Sequence, residues 1–431
     1  MLSILLLLIL IFLVFVFYIK DNKDIISPPF ILTLVFVFST IVMIINTNNW
    51  NVNLHINTVL LILFSICCFE FGYSWNKKKK SISSRKLCSN LIIEPKVLHI
   101  NKIFMILIFT SLIITGILYY DERVRLAATL GVDGNLIEIA AAARHAEYYT
   151  EESMSDFVQR LMLFTKCFAY ITAYVFVNNL ILKKTKHIQF IYIIPFIVYC
   201  FFMYISGGRM PFIHNLTFLA ILYGVLIYKI KGISTALRIR IIKIVFYVFV
   251  TFFIIFIYMG TQSGKITDSI FDSVSVYVGS SINALDIFLQ NKIPEEQYFG
   301  QETLIPIYST IRSFGYNIPS DMLRSAREFV SMNGITTNIY TALRRYVRDY
   351  GYLGCFCVMF MIGTIYGKIY KFILAKRDKG YLTLIYASIF FPIVEMSIEE
   401  RFMLKLISMG ELYELIILFI LFKFIIKSGK E

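Results

Sequence analysis

Charge is scarce in this chain. Of its 431 residues, 16% are Asp, Glu, Lys or Arg, against 58% hydrophobic, and the mean hydropathy is +0.71. A soluble globular domain carries about a quarter charged residues, so an ordinary soluble fold is excluded. Cysteine offers no framework either. Six of the seven cysteines fall in apolar stretches and Cys88 lies in a Lys-rich one, so neither a disulfide scaffold nor a zinc spacing follows. The polar stretches lack a DxD-like or His/Cys cluster, and no metal or cofactor is expected. Met1 to Leu13 holds no Lys or Arg, so the first apolar run lacks the basic front of a signal peptide.

What the chain has instead is long apolar runs. A helix needs about 20 mostly apolar residues to cross the hydrocarbon of a bilayer. Such runs fall near 2–19, 28–45, 54–73, 103–120, 157–182, 188–205, 211–228, 241–259, 350–374, 381–395 and 402–424. The expected fold is an all-α polytopic membrane protein with about 11 transmembrane helices (11–12) and one large extracytoplasmic loop carrying short amphipathic helices. The chain is expected to be a single membrane domain over 1–431, with a smaller outer loop at 121–156 and the large one at 261–349.

The positive charges orient these spans. The first of them, Lys20 and Lys23, follow the first run, which predicts an outside N-terminus and a cytoplasmic C-terminus. Alternation then places 26 of the 42 Lys and Arg inside, as 22 Lys and 4 Arg, and leaves 12 Arg and 4 Lys outside. Lys supplies charge to a solvated loop. Arg adds a planar fork that grips phosphate or carboxylate with two parallel hydrogen bonds. The segregated outer arginines therefore predict anion binding; the competing reading pairs each with an outer-loop acid. No nucleic-acid partner is expected.

Several stretches carry this chemistry. In the smaller outer loop, Arg123 and Arg125 directly follow a span, and Ala140–Ala143 beside Arg144, His145 and Glu147 predicts a short surface helix. His145, flanked by charge, is a candidate general base. Ser206-Gly207-Gly208-Arg209-Met210-Pro211 is a tight turn whose consecutive N–H groups, beside Arg209, predict an anion-binding concavity. Trp50 reads as an interface anchor, with His55 nearby, for which no site role is expected. In the large loop, 268–290 has a helical apolar face, and 321–330 predicts a second short helix bearing Arg324, Arg327 and Glu328. Arg344 and Arg348, four apart, share a face that leads into the ninth span, with Asp349 beside it. Gly351, Gly354, Gly363 and Gly367 follow and suit close helix packing. Glu395, Glu399, Glu400 and Arg401 cluster at the outer end of the tenth span, where carboxylates are costly and pairing with loop arginines is expected.

At Ser-Gly-Gly-Arg-Met-Pro, at Tyr-Phe-Gly-Gln-Glu-Thr-Leu (298–304) and above all at 337–354 (TNIYTALRRYVRDYGYLG), the sequence resembles the oligosaccharide repeat-unit polymerases, the Wzy-type O-antigen and capsule polymerases. The resemblance implies a metal-independent glycosyltransferase on the outer face of the bacterial cytoplasmic membrane. A glycan leaves one undecaprenyl diphosphate and is attacked by a hydroxyl of another lipid-linked repeat unit, with a flippase and a chain-length regulator as partners. The family is associated with outer-loop arginines, sometimes in an Arg-x10-Gly pattern, which Arg123 and Gly134 match. On this basis Arg209, Arg344 and Arg348 are expected to bind the diphosphate, supported by Arg123, Arg312 or Arg324. The base is expected among Asp349, Glu328 and His145, in that order. A lipid-linked oligosaccharide flippase and an O-antigen-type ligase remain the alternatives.

Overall fold

The computed structural model describes residues 1–75, 96–150, 152–182, 189–208, 210–244, 246–247, 250, 270–291, 298–319, 323, 328–375 and 380–428. It is mostly helical, at 77%. In chain order the helices are α1 Leu2–Lys20, α2 Pro28–Ile45, α3 Ile56–Trp75, α4 Lys102–Ala128, α5 Leu136–Tyr149, α6 Asp156–Leu182 and α7 Ile194–Ile205. There follow α8 Met210–Lys231, α9 Ile270–Gln290, α10 Ile305–Ser313, α11 Ala342–Leu374, α12 Tyr381–Ser388, α13 Phe391–Glu395 and α14 Met409–Ile425. Short helical turns at Thr47–Trp50, Phe190–Tyr192 and Phe402–Leu406 and four strands of three residues complete it: β1 Leu98–Ile100, β2 Val330–Met332, β3 Ile335–Thr337 and β4 Ile426–Ser428.

Among the described residues, seven helices are long and apolar enough to cross a membrane: α1, α2, α3, α4, α6, α8 and α11. Of the remaining expected spans, 188–205 and 381–395 appear as shorter apolar helices. The eighth, 241–259, lies largely outside the described residues, and the eleventh, 402–424, is a short π-helix over Phe402–Leu406 followed by the 17-residue helix Met409–Ile425. Near 381–395 the helix is interrupted: α12 stops at Ser388 and α13 restarts at Phe391 with Pro392 in its first turn.

The chain divides into two compact units. The first comprises Met1–Ile92, Phe271–Phe372 and Phe390–Leu412. Within it α3 and α11 lie side by side and parallel, because Ser65 meets Cys355 (3.7 Å), Phe69 meets Gly363 and Tyr73 meets Gly367. Glycine permits this approach. A Cβ on Gly363 would sit 2.0 Å from the Phe69 carbonyl oxygen, and one on Gly72 would sit 2.0 Å from that of Phe360. Such small-residue seams let two backbones touch where the surroundings are as apolar as the side chains. Gly351 does something different: at φ 67° and ψ −177° it interrupts α11, so the helix is two segments set at a kink. At the far end of this seam the Tyr370 hydroxyl donates to buried Asp24 (2.7 Å) and Lys20 pairs with Glu70.

The helix expected over 268–290 is α9, and its polar groups are spent inside the unit. Ser39 donates to the Val278 carbonyl (2.7 Å), and a Cβ on Gly279 would meet Val42 at 2.6 Å. Trp50 is buried rather than anchored at an interface. The helix expected over 321–330 lies mostly outside the described residues, and its last residues are not helical. Glu328 and Phe329 are irregular and Val330 opens β2. That strand pairs with β3 across Asn333-Gly334, both at positive φ (49° and 88°), the two-residue turn whose backbone twist fits a hairpin. The turn is tied to the first loop by Asn333 Nδ2 donating to the Asn49 carbonyl (3.1 Å).

The second unit comprises Ile93–Ile270, Ile373–Ile389 and Tyr413–Glu431. Its core stacks Tyr170 of α6 on Phe218 of α8 (centroids 3.8 Å apart), and the Tyr170 hydroxyl donates to Asn215 (2.9 Å). Strands β1 and β4 pair antiparallel, and Asn179 holds both backbone groups of Leu98. The small residues of α5, Ala142, Ala143 and Ala146, are covered by Leu126 and Ala127 of α4. The alanine run expected to lie on a membrane surface is thus a packing face, with Asn135 and Glu138 forming a capping box at its start.

Replacing Gly363 by Val drives two methyls into the Phe69 backbone. Overpacking of this kind costs about 1–3 kcal/mol. Thermal unfolding of the purified variant is expected to shift downward, while Gly334, which has open space around it, tolerates Ala with only the cost of its positive φ.

Candidate functional site

The first segment of α11 reads Ala-Leu-Arg-Arg-Tyr-Val-Arg-Asp (342–349), and helical periodicity sorts its charges onto two adjacent faces. Arg344 and Arg348 both reach the carboxylate of Glu302, one oxygen each. Arg344 Nη1 lies 2.5 Å from Oε2 and Arg348 Nη1 lies 2.5 Å from Oε1. Arg345 Nη1 donates to the Glu302 carbonyl (2.9 Å) and stands 3.5 Å from the same carboxylate. One carboxylate therefore faces three guanidinium groups. The stretches 298–304 and 337–354, far apart in sequence, are brought together here.

Arg344 is fully buried. Its guanidinium carbon lies 4.7 Å from the ring centroids of both Phe288 and Tyr340, so two aromatic faces partly replace the water it has lost. Its Nε and Nη2, and Nε of Arg348, have no hydrogen-bond partner among the described residues. Buried donors left open in this way are uncommon.

Asp349 is the clamp of this arrangement. Its carboxylate accepts from the Glu302 N–H (3.1 Å), the Thr303 N–H (2.7 Å) and the Thr303 hydroxyl (2.5 Å). It fixes the loop that presents Glu302, and its oxygens are already engaged. As a base it would have to surrender these bonds. Glu328 is different: its side chain is 63% exposed and lies 4.0 Å from Arg348. Glu400 is buried beside the cluster. It accepts from the Tyr346 hydroxyl (2.8 Å) and from the N–H groups of Met403 and Leu404. Burial pushes its carboxyl above the usual range against the pull of those donors and of Arg345. Of the other carboxylates expected to pair with loop arginines, Glu399 accepts from Arg401 (2.7 Å). Arg312 is exposed on α10 and has no side-chain partner among the described residues. Arg324 lies outside the described residues.

In the second unit, Arg123 is buried inside α4. It donates to Glu147 (2.8 Å), to the Ala140 carbonyl (3.1 Å) and to the Ser206 carbonyl (3.2 Å). It ties α4, α5 and the Ser206–Gly208 turn together as an internal ion pair. Arg144 donates to the Gly207 carbonyl. Gly207, at φ +67°, approaches α5 so closely that a Cβ would meet the Ala140 carbonyl at 2.8 Å. The turn's glycines thus serve packing against α5. Its Gly207 and Gly208 N–H groups are taken by the Tyr204 carbonyl and the Ser206 hydroxyl, so the expected concavity is closed by the protein's own acceptors. Arg209 lies outside the described residues. His145 is exposed on α5.

One constellation has no local signature in the sequence. His55 Nδ1 lies 2.8 Å from Asp286 Oδ2. The His55 N–H (2.9 Å) and the Thr58 hydroxyl (2.5 Å) both donate to Oδ1 of the same carboxylate. The partners are separated by 231 residues, and only the docking of α9 on the start of α3 joins them.

Because Asp349 holds the loop rather than a proton, Asp349→Asn is expected to lower stability by about 1–3 kcal/mol, the cost of unsatisfied buried donors. Thermal unfolding of the purified variant measures this. A shift of less than about 1 °C alongside loss of function would mark Asp349 as a base instead.

Comparison of the chain with family models, with curated proteins and with solved structures finds no match in any of the three.

Proposed function

We propose that this protein joins undecaprenyl-diphosphate-linked oligosaccharide repeat units into a surface polysaccharide, acting as a glycosyltransferase on the outer face of the bacterial cytoplasmic membrane. The observation that carries this reading is the arginine fork of α11: three guanidinium groups around one carboxylate, with donors of buried Arg344 left open. When a glycan leaves a lipid diphosphate, negative charge grows on the departing oxygens. Preorganised donors in a water-poor site stabilise that charge most, and removing one such donor costs about a hundredfold to a thousandfold in rate. The Glu302 carboxylate marks where the fork accepts anionic oxygen. Arg344 and Arg348 hold the diphosphate in this reading. Arg209 joins them on the strength of its sequence context, while Arg312 and Arg324 are supporting candidates.

The topology belongs to the same reading. Eleven spans alternate from an outside N-terminus to a cytoplasmic C-terminus, which places 261–349 outside. The parallel course of α3 and α11 supports it, since both would then enter the membrane from the outer face. A flippase is the second reading, and one observation favours it: Lys166 of α6 and Glu414 of α14 form a buried pair (2.6 Å) within apolar helices, a feature common along transport paths.

The test is a gel of surface glycan from strains carrying Arg344→Ala, Arg344→Lys or Arg209→Ala, at matched membrane levels of the protein. The polymerase reading expects the wild-type ladder to collapse to single repeat units, with polymer reduced at least about a hundredfold. Arg344→Lys is expected to fail as well, because an ammonium cannot span two oxygens. Loss of even the single unit selects flipping or ligation. An unchanged ladder leaves these arginines as structural ion pairs and removes the proposal's support.

A further inference from the structure

Two of the three base candidates read from sequence are poorly placed to take the proton of the attacking hydroxyl: Asp349 is engaged and Glu328 is a solvated side chain. The His55–Asp286 pair offers what they lack. Asp286 is almost fully buried, and its two oxygens accept from the His55 ring, the His55 N–H and the Thr58 hydroxyl. With a carboxylate on Nδ1, that nitrogen carries the hydrogen, and Nε2 is left as the basic lone pair. The imidazole is 46% exposed, and Nε2 has no partner among the described residues. A buried acid that fixes the tautomer and orientation of an exposed histidine is the arrangement of an activated general base.

Its position also fits. On α9, Asp286 grips His55 and Phe288 covers the Arg344 guanidinium, so the two contacts lie at about the same level of that helix, on different faces. In the parallel seam Ser65 of α3 meets Cys355 of α11, and both His55 and the arginine segment lie on the N-terminal side of that contact.

We propose that His55 is the catalytic base of the transfer and Asp286 its positioning residue. This rests on the polymerase reading above. The acceptor sugar's hydroxyl oxygen bonds to the donor's anomeric carbon as the bond from that carbon to the diphosphate oxygen breaks. The electron pair leaves with the lipid diphosphate, held by the arginine fork. The hydroxyl proton passes to His55 Nε2, and the imidazolium returns it to water before the next turnover. Thr58 and the His55 N–H keep Asp286 oriented through the cycle.

The variant that separates chemistry from architecture is His55→Asn, whose amide NH2 can still donate to Asp286 but has no basic nitrogen. Two measurements accompany it. One is the surface-glycan ladder, together with polymer formed by membranes supplied with the host's own extracted lipid-linked oligosaccharide. The other is binding of undecaprenyl diphosphate to the purified protein, read as a thermal shift. The expected result is normal undecaprenyl diphosphate binding and unfolding temperature in His55→Asn, with polymer formation reduced about a hundredfold or more. Polymer formation by His55→Ala membranes should return on adding imidazole. A wild-type ladder in His55→Asn overturns the assignment of the base while the fork's role stands. Loss in His55→Asn with no imidazole rescue of His55→Ala assigns the pair to holding α3 against α9, and also overturns it. If wild type fails to bind undecaprenyl diphosphate and Arg344→Ala keeps its ladder, it is the polymerase reading that fails, a pattern distinct from the other two.

Discussion

Concentrating three guanidinium groups beside a helix start is unfavourable unless something negative is set among them. Glu302 is that charge, and much of the first unit is arranged to deliver it. Asp349 captures the N–H groups of Glu302 and Thr303, Gly300 turns the chain at positive φ, and Tyr350 meets the Thr303 hydroxyl. Two charges of opposite sign cost several kcal/mol each to desolvate, and their mutual attraction repays this only with good geometry. Here three cations meet the Glu302 carboxylate, Glu328 stands 4.0 Å from Arg348, Glu400 interacts with Arg345, and donors of Arg344 stay open.

The second unit uses arginine in the opposite way. Arg123 has a carboxylate and two carbonyls around it, and Arg144 reaches a carbonyl of the Ser206–Gly208 turn. These bonds fix the turn against α5, although Nε of Arg123 has no hydrogen-bond partner among the described residues. The same residue type thus ties elements together in one unit and gathers round a single carboxylate in the other. For Arg123 the competing ion-pair reading is the one its geometry supports.

Much of the helical framework was legible because burial in a bilayer has a length. Residues 28–45 are the helix the apolar run predicts, and 2–19 and 54–73 are matched to within one or two positions by α1 and α3. Periodicity likewise put Arg344 and Arg348 on one face. The partners of those faces were not legible, because nothing near residue 344 points to residue 302 and nothing near residue 55 points to residue 286. The role of a glycine was equally hidden: Gly351, Gly363 and Gly207 look alike in sequence, yet one breaks a helix, one seats a helix and one seats a turn. The Asn333-Gly334 hairpin could have been read, since that dipeptide between β-prone residues is a strong turn signal. A helical reading of the preceding stretch masked it.

The kink at Gly351 settles a conflict of angular phase. The arginine row must face Glu302 and the aromatic pair, while the glycines at 363 and 367 must face the backbone of α3. An unbroken helix advances about 100° per residue and would lock these two directions to each other. At ψ −177° with positive φ, a conformation open essentially to glycine alone, the chain resets its rotation within a single residue. Upstream and downstream sequence can then be tuned separately, the one for charge and the other for contact, and the residue that grants this independence is the one with no side chain to contribute to either.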